Sequence, residues 1–99
     1  MKLQMQSVRF DADVKLTDFI QKRADKLETF YDRIIDGEVI MRIEPDDSRA
    51  NKSIEIKLNI PGEQLFAEKK GTSFEAATDE AVEALRRQLK KYKEKHFVH

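Results

Sequence analysis

Polar and apolar residues alternate at the start of the chain, from residue 2 to residue 8. A period of two is typical of a strand with one buried face, because successive side chains of a strand point to opposite faces. The pattern therefore predicts a first strand in which Leu3 and Met5 point inward.

A helical repeat follows the first strand. Apolar residues recur at steps of three and four, and they are Leu16, Phe19, Ile20, Ala24, Leu27, Phe30, Tyr31 and Ile34. This spacing predicts an amphipathic helix of about four to five turns. Asp11, Asp13 and Thr17 could each cap its first turn, and the sequence does not choose among them. Asp36-Gly37 is expected to break the helix.

Two strands joined by a turn are predicted next. Val39, Met41 and Ile43 occupy alternate positions of a second strand, and Pro45-Asp46-Asp47-Ser48 predicts a turn. The clearest strand of the chain follows, with isoleucine or leucine at positions 54, 56, 58 and 60 and polar residues between them. This strand is expected to have one fully apolar face.

A hairpin is predicted after the third strand. Pro61-Gly62 is a typical hairpin connection, and residues 63 to 70 are expected to form a fourth strand. Leu65 and Phe66 are adjacent, so only one of them faces the core, and we expect Phe66 inward.

The last third of the chain predicts a long helix that begins near residue 73. Thr72-Ser73-Phe74-Glu75 matches a capping box, in which a hydroxyl caps the helix and Glu75 reaches back. The apolar stripe of this helix comprises Phe74, Thr78, Ala81, Leu85, Leu89 and Tyr92. Alanines at 76, 77, 81 and 84 favour a helix and allow close approach to a sheet.

The predicted order is β-α-β-β-β-α, which indicates an α+β fold. Each helix has one apolar stripe, so both are expected to pack on the same face of a four-stranded, mostly antiparallel sheet, as in a double-stranded-RNA-binding domain. Residues 1–99 are expected to form a single domain, and the protein is expected to be a monomer.

Composition narrows the possible functions. Apolar residues make up 39% of the chain, which supports a globular fold, and charged residues make up 38%, against about 25% in typical soluble domains. The absence of cysteine excludes disulfide and thiolate chemistry. No apolar run approaches the roughly 18 residues of a membrane span or resembles a signal peptide. We therefore expect an unprocessed, cytoplasmic protein that does not bind membranes.

Catalysis has little support in the sequence. The histidines are His96 and His99, at a chain end where a general base or metal ligand would not be anchored. Glycine-rich phosphate loops, nucleophile elbows and His-Glu-x-x-His patterns are absent from the sequence. Pairs such as Asp46-Asp47 and Asp79-Glu80 are expected to be surface charge. We expect no enzyme activity, cofactor, metal or small-molecule substrate.

Charge is polarised along the last helix, although the formal net charge of the chain is zero. Residues 75 to 83 carry four acids and no base, whereas residues 86 to 95 carry one acid and six bases. The six bases are Arg86, Arg87, Lys90, Lys91, Lys93 and Lys95, and the first helix adds Lys22, Arg23 and Lys26. A neutral protein with such a charge map can bind a polyanion at one end.

A solvated helix end is the alternative interpretation, because basic residues in the last turns complement the helix dipole. Against it, like charges stack at i,i+4 in this helix and repel each other. At 100° per residue, one flank carries Arg86, Lys90 and Lys93, and the back and other flank carry Arg87, Lys91 and Lys95. Donors about 6 Å apart along a helix suit a run of phosphates.

Two segments carry a family resemblance. Arg23-Ala24-Asp25-Lys26-Leu27-Glu28 is similar to a basic-x-x-Lys-Leu-Glu motif, and Glu75 to Asp79 is similar to an aromatic-Ala-Ala-Ile-Asp segment. Leu85 to Lys95 then resembles Leu-x-Arg-Gln-Leu-x-Lys-x-Lys-x-Lys at the same spacing. These motifs belong to the ribosome hibernation-promoting factors, a family that also includes proteins described as sigma-54 modulators. The resemblance spans essentially the whole chain, with Glu75 and Ala84 as departures.

The resemblance implies a function and a set of contacts. The rRNA-contacting positions of the family fall on Arg23, Lys26, Arg87, Lys91, Lys93 and Lys95. The implied partner is rRNA of the small ribosomal subunit near the decoding region, where the bound protein would block mRNA and tRNA and inhibit translation reversibly under stress. Because the chain ends at His99, we expect it to lack the dimerisation domain of the long forms and the acidic tail of the inhibitor subclass.

Other interpretations of the same residues stay open. A double-stranded-RNA-binding module would recognise the shape of free duplexes over about 16 base pairs. A protein-interaction module, such as a transcription modulator, would dock the cationic helix on an acidic protein surface. An enzyme is the weakest alternative.

Overall fold

The computed structural model of the chain describes residues 1–45 and 49–97. Its elements are β1 (Lys2–Val8), α1 (Val14–Asp25), α2 (Leu27–Phe30), β2 (Asp36–Ile43), β3 (Lys52–Ile60), β4 (Glu63–Gly71) and α3 (Phe74–Phe97). The predicted order is confirmed, with the first helical segment divided in two. The predicted turn after Pro45 lies mostly outside the described residues.

The four strands form one sheet in the order β1-β2-β3-β4. β1 and β2 are parallel, while β2, β3 and β4 are antiparallel neighbours. The parallel pair follows from the helical connection between β1 and β2, since parallel strands need a long crossover. The prediction of a mostly antiparallel sheet is therefore confirmed.

The hydrophobic core lies on one face of the sheet. The four apolar residues of β3, Ile54, Ile56, Leu58 and Ile60, are at most 2% exposed. All six residues of the predicted α3 stripe are buried, and Ile20 and Ala24 of α1 are completely buried. Both helical segments therefore cover the same face, as predicted, and the opposite face, which we call the open face, carries the polar residues of the strands.

The facing of β4 was predicted wrongly. Leu65 is buried at 5% exposure, whereas Phe66 is 45% exposed. The two-residue turn at Pro61-Gly62 fixes the register, so that Leu65 pairs with Leu58 on the core side. Phe66 pairs with Lys57 and therefore lies on the open face. Gly62 has φ 78, a left-handed conformation that favours glycine in this turn.

The first helical segment is divided at Lys26 and ends before the apolar repeat does. α1 ends at Asp25 and α2 ends at Phe30, while the apolar repeat continues through Tyr31 and Ile34, which are buried without being helical. Asp36 and Gly37 begin β2 and do not end the helix. Gly37 is required at that point because a Cβ there would lie 2.6 Å from the backbone oxygen of Lys57.

Short polar side chains cap both long helices. Asp13 is the cap of α1, and its Oδ1 accepts a hydrogen bond from the Leu16 amide at 2.9 Å. For α3, the Ser73 hydroxyl accepts from the Ala76 amide at 3.0 Å. The predicted start of α3 is confirmed, but Glu75 stands at the second helical position and not at the third that a capping box requires.

Candidate nucleic-acid interface

The first helical segment runs beside α3 in the same direction. Phe10, just before α1, stacks on Phe74 with ring centroids 4.8 Å apart, and Tyr31, just after α2, packs edge-on against Tyr92 at 5.7 Å. Because both segments lie on the same face of the sheet, their exposed sides both point away from it. This arrangement brings the basic residues of α1 and α3 to one side of the molecule.

The flank of α3 beside β4 carries Arg87, Lys91 and Lys95, which we call the cationic row. Arg87 is 59% exposed, and its contact to Glu83 is a loose 3.7 Å. Lys91 and Lys95 are exposed and have no partner among the residues that the structure describes. Successive members lie four residues apart, which places them about 6 Å from each other. All three residues line shallow grooves next to β4.

The opposite flank of α3 is only partly free to bind an anion. Arg86 donates two hydrogen bonds to Glu83, at 2.8 and 3.1 Å. These bonds lower the pKa of the Glu83 carboxyl and so keep it ionised beside Arg86. Lys90 is exposed and has no partner in the described part of the chain. On this flank Lys90 is thus a free cation, while Arg86 is paired with Glu83.

Lys93 differs from the other lysines of α3. Its Nζ donates to the backbone oxygen of Phe30 at 3.0 Å and lies 4.5 Å from the centre of the Phe30 ring. The side chain is partly buried. Lys93 therefore fastens the end of α3 to the end of α2, in addition to any contact with a ligand.

The basic residues of α1, like those of α3, include both free side chains and one that is held by other residues. Lys22 and Lys26 are exposed, and neither side-chain ammonium has a partner within residues 1–45 and 49–97. Arg23 lies with Nε 3.0 Å from Asp79 Oδ1 and with its guanidinium 4.6 Å from the centre of the Phe19 ring. Its main structural role is to join α1 to α3.

Two residues of this region were missed by the sequence reasoning. Gln88 of α3 donates from Nε2 to the Phe66 oxygen at 2.8 Å and accepts from the Phe66 amide at 3.4 Å. Lys69 of β4 lines a shallow groove with Arg87. Gln88 fixes how α3 sits on the edge strand. Lys69 adds a positive charge to a groove that Asp79, Glu80 and Glu83 also line.

Replacing Gln88 with alanine is expected to lower the free energy of unfolding by about 1 kcal/mol, because two hydrogen bonds to the edge of β4 are lost. Hydrogen exchange of the Phe66 amide should become faster, since water would replace the side-chain oxygen. Lys90→Ala, on an exposed position of the same helix, is the control and should change stability by less than about 0.5 kcal/mol. Unchanged exchange at Phe66 would show that Gln88 does not hold the strand.

A family model described as Sigma 54 modulation protein / S30EA ribosomal protein matches residues 3–96. The chain belongs to this family. It is similar to the Ribosome hibernation promoting factor of Pseudomonas putida, with 30% identity over 95 residues, which cover 96% of this chain and 89% of that protein. The factor of the same name from Escherichia coli is 27% identical, with both chains covered completely.

Solved structures of the S30EA type share the fold. A ribosomal subunit interface protein from Coxiella burnetii superposes with a TM-score of 0.83 at 22% identity, covering 94% of this chain and 98% of that chain. The N-terminal domain of Protein Y from Thermus thermophilus gives a TM-score of 0.80 at 20% identity, covering 93% and 99%. These likenesses confirm the predicted α+β architecture.

The S30EA family is a family of ribosome-associated proteins and not of enzymes, which confirms the prediction of a non-catalytic protein.

Among the described residues, no group of three or more acidic or histidine side chains is placed to hold a metal ion. His96 Nδ1 lies 3.0 Å from the backbone oxygen of Tyr92 and donates to it in the tautomer that carries the proton on Nδ1. His99 lies outside the described residues. No described helix is long and apolar enough to cross a membrane.

Proposed function

We propose that this protein is a ribosome hibernation factor that binds rRNA of the small ribosomal subunit near the decoding region. In the cytoplasm of a starved or stressed cell, the bound protein covers the sites of mRNA and tRNA and inhibits translation reversibly. It works by occupying space, so it needs no cofactor and no covalent step. Away from the ribosome it is a monomer.

The cationic row is the observation that carries this proposal. Three positive side chains follow one another along a rigid helix, and Lys69, Lys22 and Lys26 add further charge on neighbouring elements. An array of this kind binds a phosphate backbone with high affinity and little base specificity. The names of the hibernation promoting factors among the relatives support the ribosome as the source of that backbone.

Sedimentation with purified ribosomal particles tests the proposal. The protein should co-sediment with isolated small subunits and with whole ribosomes, and not with isolated large subunits. Added to a reconstituted translation system, it should inhibit protein synthesis in proportion to the fraction of small subunits occupied. A plain RNA duplex in excess should compete weakly.

Two outcomes would contradict the proposal. Equal affinity for a plain duplex and for small subunits would indicate a double-stranded-RNA-binding module. Absence from all ribosomal fractions at physiological salt would instead favour a module that docks on an acidic protein surface, such as a transcription regulator.

A further inference from the structure

A groove of about 580 Å³ lies where the end of α2 meets the last turns of α3. It is separate from the cationic row, which runs along the β4 side of α3. Phe30, Tyr31 and Arg33 line it from the α2 side, and Lys93 lines it from α3. A volume of this size accommodates a small organic group such as one nucleotide.

Aromatic side chains give the groove a fixed wall. Phe30 is partly buried and packs against the hydrophobic core, so its ring has little freedom to move. Tyr31 is buried behind it and is held by Tyr92. Burial also raises the pKa of the Tyr31 hydroxyl above its ordinary value. A rigid aromatic wall is a surface on which a nucleobase can pack without a large loss of side-chain entropy.

Two cations stand beside the aromatic wall. Lys93 uses one of its three donors on the Phe30 oxygen, which holds the ammonium in place and leaves two donors for a ligand. Arg33 is exposed, and its side chain makes no hydrogen bond or ion pair with residues 1–45 and 49–97. An aromatic surface next to two positively charged side chains matches the two chemical parts of a nucleotide, a base and a phosphate.

Acidic residues at the rim limit how much of a polyanion the groove accepts. Glu28 and Asp32 both line it, and Glu28 accepts a hydrogen bond from the amino group of Met1. Two carboxylates at the rim would repel a continuous run of phosphates. A single nucleotide that turns out of the base stack brings only its own flanking phosphates near the rim, so it meets less repulsion than a continuous run.

We propose that this groove holds one unstacked nucleotide of the RNA that the cationic row binds. Because the Lys93 ammonium already lies 4.5 Å from the centre of the Phe30 ring, the base packs against the part of the ring that Lys93 leaves uncovered. The adjoining phosphate lies between Lys93 and Arg33. This inference rests on the proposed function for the source of the RNA, and it assigns the groove a different kind of contact. The cationic row binds phosphates, whereas the groove binds a base. Binding in the groove therefore requires a site in the RNA where one base is not stacked on its neighbours.

Phe30→Leu is the first test, because leucine keeps an apolar side chain but removes the aromatic ring. Its affinity for small ribosomal subunits should fall on the order of tenfold, as is typical for the loss of one stacked base. The slope of log affinity against log salt should stay unchanged, because no phosphate contact is lost. Arg33→Ala should lower affinity and make that slope shallower by about 0.7 to 0.9, the value for one phosphate.

Phe66→Leu provides the matched control. Phe66 is an exposed aromatic residue on the open face of the sheet, opposite the helices, and its loss should leave affinity and salt slope at the wild-type values. Thermal melts of all three variants establish that each is folded under the binding conditions.

Nuclear magnetic resonance of the wild-type protein gives a measurement that needs no variant. Adenosine 5′-monophosphate at millimolar concentration should shift the Phe30 ring protons through the ring current of its base. Ribose 5-phosphate, which has no base, should perturb only the surroundings of Lys93 and Arg33. Identical shifts with both compounds would overturn the assignment of a base and leave a simple anion site.

The two proposals fail in different ways. If the wild-type protein does not bind small subunits, the proposed function is wrong, and the titration with adenosine 5′-monophosphate still decides whether the groove accepts a nucleotide. If the wild-type protein binds, Phe30→Leu binds equally well and the nucleotide causes no ring shift, the groove has no such role and the proposed function stands.

Discussion

Ile56→Asp is expected to lower the free energy of unfolding by about 4 kcal/mol or more, a large part of the 5 to 15 kcal/mol typical of a domain. Ile56 is completely buried at the centre of β3, with Val39 opposite it on β2 and Ala67 opposite it on β4. The substitution removes apolar contacts and places a carboxylate where the described core offers no cation. The variant should be unfolded, or should melt more than about 15 °C below the wild type.

Gln6→Asp is the matched control for Ile56→Asp. Gln6 is exposed on the open face of β1, so the same carboxylate stays hydrated there. Its effect should be below about 1 kcal/mol, the range of strand preferences. Melting of Ile56→Asp within a degree or two of the wild type would mean that this face of β3 is not the core.

The sequence predicted β3 and α3 well because each pattern has only one physical solution. In β3 four aliphatic residues alternate strictly with polar ones, so one face must be buried. In α3 a single stripe of apolar residues leaves only one orientation on the sheet, and the exposed flanks then follow from 100° per residue. The cationic row was therefore predictable as a geometric group.

The facing of β4 failed because Leu65 and Phe66 are adjacent and hydrophobicity alone favours the larger side chain. The length of the hairpin turn decides which of the two residues faces the core. A two-residue turn at Pro61-Gly62 pairs Ile60 with Glu63, and counting back from that pair places Leu65 opposite Leu58. The same count places Lys69 on the helix side of the sheet, next to Arg87. The wrong facing of β4 would have put Lys69 on the open face instead.

The partners of the basic residues could not be predicted from local patterns. Lys93 bonds to Phe30 across 63 positions of sequence, and Arg23 pairs with Asp79 through the packing of α1 on α3. The end of α2 could not be predicted either, because Tyr31 and Ile34 continue the helical spacing while the backbone is no longer helical. Burial explains their apolar character without requiring a helix.

Replacing Arg87, Lys91 and Lys95 together with alanine is expected to weaken binding to small ribosomal subunits strongly while leaving the fold intact. All three side chains are exposed and lie off the apolar stripe of α3, so thermal stability should change little. If each contacts one phosphate, the slope of log affinity against log salt should become shallower by about 2 to 3. Binding measured at several salt concentrations gives this slope directly.

A second triple variant separates a specific surface from total charge. Lys2, Lys57 and Lys70 lie on the open face, and replacing them with alanine removes the same three positive charges. This control should keep nearly all of the affinity and the wild-type salt slope, because those residues face away from the helices. Equal loss in both variants would indicate that overall charge, and not the cationic row, governs binding.

Inhibition of translation should fall together with binding in the cationic-row variant, because a protein that acts by occupying a site has no separate chemical step. The concentration that halves protein synthesis should rise by the same factor as the dissociation constant for small subunits, when both are measured in the same buffer. A variant that binds weakly but inhibits fully would show that the protein acts elsewhere. Full binding with unchanged salt dependence would show instead that the row is a solvated helix surface, as the alternative interpretation of its sequence holds.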